Sequence, residues 1–175
     1  LEAARGSTVP DLLEPGLRVL FCGINPSLMS AATGHHFARP GNRFWPVLHA
    51  SGFTPRRLRP DEEGELLRYG LGITNVVARA TARADEVDHA EFVAGGRRLA
   101  QVAADYAPRR LAVVGVTAYR TAFDDKRAQV GAQERRVGGV PVWVLPNPSG
   151  LNAHWSLEGM AEEFGRLREA VEGER

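Results

Sequence analysis

Four short apolar runs restrict this chain more than any other feature: Leu17–Gly23 (LRVLFCG), Leu71–Val77 (LGITNVV), Leu111–Gly115 (LAVVG) and Val142–Pro146 (VWVLP). Each is too short for a buried helix and mainly apolar, without alternation, which is the pattern of strands covered on both faces, as in a parallel sheet. The segments between them carry helical period. Asp61 opens EEGELLRYG, with Leu66, Leu67 and Tyr69 as its apolar face. Asp88 is placed to cap a longer helix in which Phe92, Val93, Leu99, Val102, Ala103 and Tyr106 recur before Pro108 stops it. Ser156 caps a last helix with Leu157, Met160, Phe164, Leu167 and Ala170 inward. Strands alternating with helices predict a three-layer α/β/α sandwich around a mostly parallel sheet of four to five strands. Ligands of such sheets sit at the carboxyl ends of the strands. The polar stretch Asp124–Gly139 reads equally as a hairpin or as a disordered connection.

At 175 residues, 43% hydrophobic and 25% charged, the chain has enough for one core and little for a second. Residues 15–175 are expected to form that single domain. Residues 1–14 mix small, polar and acidic side chains without period and do not begin with Met, so they are expected to be a tail outside the fold. The formal charge is +1, so a polyanion must be met by a local patch and not by a general field. No apolar run nears the roughly 20 residues that cross a bilayer, and no signal-peptide core precedes Asp11. A cytoplasmic monomer without membrane contact is the expectation. Cys22 is the single cysteine, which excludes an internal disulfide and any multi-cysteine metal site. His35 and His36 are adjacent and not at metal-pair spacing, so no metal is expected and a place at the rim or near phosphate is.

Two loops stand where the chemistry should be. GINPS, Gly23–Ser27, follows the first run, and its glycine and proline shape a close turn that leaves Asn25 facing the cleft. PNPSGLN, Pro146–Asn152, follows the last, another rigid turn carrying Asn147, Ser149 and Leu151. Singly, each is an ordinary turn signal. Arg39, Arg43, Arg56, Arg57 and Arg59 read either as solvated surface arginines or as one side of a groove for a polyanion.

GINPS, then HFARPGNRFWPVL, then LPNPSGLN in that order resemble the mismatch-specific uracil-DNA glycosylases, the thymine-DNA glycosylase group of the uracil-DNA glycosylase superfamily, from about Leu17 to Leu167. The resemblance implies a monofunctional enzyme, without metal or organic cofactor, that flips uracil, or thymine, out of double-stranded DNA at G:U or G:T pairs and hydrolyses its N-glycosidic bond. Asn25 matches the residue that orients the attacking water, and the backbone around Gly23 and Ile24 the cradle of the base. Phe37 matches the aromatic that stacks on the base, a contact worth about 1 to 3 kcal/mol. Asn147 stands where other families of the superfamily carry histidine. Leu151 matches the wedge entering the helix, with Ser149, Gly150 and Asn152 as its DNA-facing neighbours. The chain departs from bacterial relatives at Asn152, Ala153 and His154.

GITNVVARAT resembles thymine-DNA glycosylase, with Asn75 and Arg79 as substrate or phosphate contacts. Ser30 is a further pocket candidate of unknown aim. Within the acidic cluster Asp85, Glu86 and Asp88, the plain reading is a capped helix entry, and the sharper one makes Asp85 a carboxylate that activates the water. The sole lysine, Lys126, lies far in sequence from both motifs, which disfavours a Schiff-base mechanism. A different reading is a mismatch or abasic-site binding protein without chemistry.

Overall fold

The computed structural model describes residues 1–174. Five strands, β1 (Val19–Gly23), β2 (Leu71–Asn75), β3 (Arg110–Val114), β4 (Gly131–Val137) and β5 (Val140–Leu145), form one sheet in the order β2-β1-β3-β5-β4. The four apolar runs pair in parallel, and β4 alone is antiparallel, hairpinned to β5. That hairpin resolves the Asp124–Gly139 ambiguity. Its alternation of exposed and half-buried residues belongs to an edge strand wetted on one face.

Side chains alternate across the sheet. Val19 and Phe21 enter one core and Leu20 and Cys22 the other, as the period of two requires. The first core is closed by α2 (Phe44–Ala50) and α5 (Leu157–Glu172), the second by α3 (His89–Tyr106) and α4 (Val116–Ala122). Asp88 caps α3 by accepting from the Glu91 amide, and Ser156 caps α5 by accepting from the Gly159 amide. The helix expected after Asp61 is a 3-10 helix, Pro60–Tyr69. On α5 the buried stripe is Met160, Phe164, Leu167 and Val171; Leu157 is exposed and Ala170 only half-buried.

Residues 1–14 are not a tail. Ala4 and Val9 are buried, and Leu12 exchanges backbone hydrogen bonds with Ile73 at 2.9 and 3.1 Å. β2 is an edge whose unpaired groups need cover, and a single bridge provides it without the periodicity that would reveal a strand. Gly6 and Ser7 bond Ala80 in the same way.

β1 lies between β2 and β3, so the chain leaves it in one direction and returns on its other side. This is the switch point at which an open α/β sheet leaves a crevice.

Candidate active site

A pocket of about 290 Å3 occupies that crevice. Of the residues singled out from sequence, Ile24, Asn25, Ser30, His36, Phe37, Arg39, Asn75, Asp85, Asn147, Ser149 and Leu151 line it, whereas Gly23, Arg79, Gly150 and Asn152 do not.

The loop after β1 is fastened by its carbonyls. Those of Gly23, Ile24 and Pro26 accept from the amides of Val76, Val77 and Thr81. Its Ile24, Asn25 and Ser27 amides take no backbone partner among the described residues, which leaves donors free for developing negative charge. The Asn25 amide nitrogen donates to the Arg79 carbonyl at 3.0 Å and to Thr81 Oγ1 at 2.8 Å. Thr81 in turn donates to the Arg83 carbonyl at 2.6 Å. With both donors of Nδ2 engaged, Asn25 Oδ1 is the atom left to accept from a ligand or water. Thr81 has no signal in the sequence beyond following Arg79 by two positions. Ser30 is buried and structural: its Oγ accepts from the Ala38 amide at 3.1 Å and ties α1 (Leu28–Thr33) to the segment carrying Phe37.

Phe37 stacks on Phe44, centroids 4.0 Å apart at 19°, and lines the pocket. Its φ is +51°, a conformation costly for a bulky residue and commonest at functional sites. Beneath it, a Cβ on Gly23 would lie 2.5 Å from Asn75 Oδ1 and 3.4 Å from the Phe37 ring. Only glycine lets the two approach. His36 is buried and not at the rim: Nε2 meets the Pro10 carbonyl at 2.8 Å and therefore carries the hydrogen, while Asn75 Nδ2 lies 3.5 Å from Nδ1. His35 pairs with Glu63 at 3.2 Å. Asn75 is 6% exposed, which removes it as a phosphate contact and leaves it on the pocket floor.

In the loop after β5, Asn147 Oδ1 accepts from the Ser149 amide at 3.0 Å, so its amide nitrogen is the group available to the pocket. Ser149 Oγ accepts from the Leu151 amide at 3.2 Å, and Asn152 Nδ2 donates to the Asn147 carbonyl at 3.0 Å. A Cβ on Gly150 would fall 2.6 Å from the Gly41 carbonyl. Leu151 stands out at 73% exposed. The loop is held by Arg43, whose guanidinium donates to the carbonyls of Trp155, Ser149 and Asn152 at 2.7, 2.9 and 2.8 Å. Arg43 is thus a brace and not a groove residue.

The opposite rim is neutralised. Arg79, expected on DNA, turns to Glu91 at 2.6 Å and, by that hydrogen bond, holds the Glu91 carboxyl below its usual range. Asp85 lies at the pocket mouth, 74% exposed and paired with Arg83 at 3.0 Å. Glu86 accepts from the Arg83 amide and pairs with Arg5. Arg56 and Arg59, two more of the groove candidates, pair with Glu62, Glu65 and Asp61. Cys22 is fully buried, which pushes its thiol far up. Lys126 is exposed and lines no part of the pocket.

The family model described as the uracil DNA glycosylase superfamily matches residues 10–171. Among solved structures, the solution NMR structure of a candidate uracil DNA glycosylase from Methanosarcina acetivorans aligns with a TM-score of 0.61 at 20% identity, over 93% of this chain and 98% of that one. At that identity the likeness speaks for the fold.

Proposed function

The chain belongs to the uracil-DNA glycosylase superfamily, and from that premise we propose that it is a monofunctional glycosylase releasing uracil opposite guanine from duplex DNA. The nucleotide is flipped out, its base entering between Phe37 and the two motif loops. Water attacks C1′ as the glycosidic bond breaks and its electron pair leaves on the uracil. One proton of that water passes to solvent.

The observation that carries the reading is the two-point clamp on Asn25 Nδ2. It fixes Oδ1 as an acceptor that orients water without taking its proton, so the rate rests on positioning and on stabilising the leaving base. The unpartnered amides of the β1 loop and the Asn147 amide nitrogen are the donors suited to the base carbonyls. Exposed Leu151 suits the gap left in the stack. Backbone of Gly150–Asn152 facing the widowed guanine accounts for a mismatch preference.

The test is single-turnover release from duplexes carrying one G:U, A:U or G:T pair, and from single-stranded uracil. Release fastest from G:U, abolished in Asn25→Ala with duplex binding intact, is expected. Binding without release from any of them would leave a mismatch or abasic-site binding protein instead.

A further inference from the structure

A second cavity, of about 280 Å3, opens beside the base pocket. The two share Phe37, Arg39 and Asn42 as a common wall, and Gly41, between them, abuts the wedge loop at Gly150. The excision chemistry proposed above makes no use of it.

Its wall is part apolar, from Pro40, Trp45, Pro46 and Leu58, and part polar, and its mouth carries two exposed guanidinium groups, Arg39 and Arg57. No carboxylate lines it. The arginines around it are committed elsewhere: Arg43 to three carbonyls, Arg56 to Glu62 and Glu65, and Arg59, also on the cavity wall, to Asp61. Among the described residues, the side chains of Arg39 and Arg57 make neither a hydrogen bond nor an ion pair. In a chain of 22 basic and 21 acidic residues, two uncompensated charges at one mouth are the local patch that the overall charge does not provide.

We infer that this cavity takes the sugar–phosphate of the nucleotide next to the flipped one, on the same strand. Guanidinium groups suit the phosphate oxygens, and the prolines and indole suit a deoxyribose. The shared wall sets the two sites one loop apart, as consecutive nucleotides require. The assignment rests on the glycosylase reading for which nucleotide occupies the first pocket.

The test is equilibrium binding of the intact protein to a duplex with an uncleavable abasic analogue opposite guanine, as a function of salt. The Arg39→Ala/Arg57→Ala double variant is expected to lower the slope of log K against log salt by about 1, the count for one phosphate, and each single variant by a fraction of that. Arg57→Lys should keep the slope and Arg56→Ala, whose charge is already paired, should leave it unchanged. Replacing single phosphates by neutral methylphosphonates should weaken the wild type at one position flanking the analogue, and the double variant should be indifferent there. An unchanged slope in the double variant, an equal drop in Arg56→Ala, or a methylphosphonate penalty that persists in the double variant overturns the inference. Uracil release by the wild type keeps the two ideas apart: release with an unchanged slope sinks only the second site, and no release sinks the glycosylase reading.

Discussion

The loop after β1 is fastened by backbone, through three carbonyls bonded to the segment that follows β2, whereas the loop after β5 is fastened by one residue at the start of α2, Arg43, through three side-chain hydrogen bonds and one from its backbone amide to the Pro148 carbonyl. The first loop inherits the rigidity of two adjacent parallel strands. The second owes its shape to Arg43 and to short internal turns at Asn147 and Ser149. A side chain can therefore be removed from the first loop with its frame intact, so the consequence is chemical. In the second, the decisive residue is not in the loop at all.

The sharpest way to break this contrast is to change Asn25. Asn25→Ala should lower single-turnover uracil release by on the order of 10²-fold or more, with the urea midpoint close to wild type. A large loss of stability would mean that the side chain, and not the carbonyl ladder, holds the first loop. Arg43→Ala comes next. Three charge-assisted hydrogen bonds disappear together, and about 3 kcal/mol of unfolding free energy should go with them, read by denaturant titration. Arg43→Lys should lie nearer to alanine than to wild type, since one ammonium cannot span three carbonyls. Unperturbed stability in both would show that the turns within the second loop suffice.

How much of this was legible in the sequence differs between the same two regions. The four parallel strands, the caps at Asp88 and Ser156 and the position of both motif loops follow from apolar runs and turn residues, which act locally; the polar edge strand β4 does not. The partners of those loops do not. Arg43 reads as one more surface arginine until α2 packs it beneath Trp155, and Arg79 reads as a DNA contact until α3 brings Glu91 to it. His36 reads as rim until residues 1–14, which lack any period, fold back and offer it the Pro10 carbonyl. These pairings span 12 residues for Arg79, 26 for His36 and up to 112 for Arg43, and in none of them does residue type give the partner.

Leu151 tests the second loop at its tip. Leu151→Ala should slow release from duplex roughly tenfold, as expected for losing about 1.4 kcal/mol of apolar contact in the opened stack, and leave release from single-stranded uracil unaltered. Equal losses on both substrates would make Leu151 part of the pocket and not a wedge.

The smallest effect is expected at Asp85, and it separates the two loops' shared rim from the catalytic frame. Its carboxylate lines the mouth of the pocket, yet it is 74% exposed, its Oδ1 accepts from Arg83 Nε, and the neighbouring Glu86 already caps the turn. A general base needs to reach the water that Asn25 orients, and a solvated carboxylate committed to an exposed arginine gives little drive for proton transfer. Asp85→Ala should therefore change the single-turnover rate by less than about threefold, within what a single exposed ion pair carries. A loss comparable to that of Asn25→Ala would mean that substrate draws the 83–86 turn inward, and that the rim, which is the part of the wall without a carbonyl ladder, completes the site only when DNA is bound.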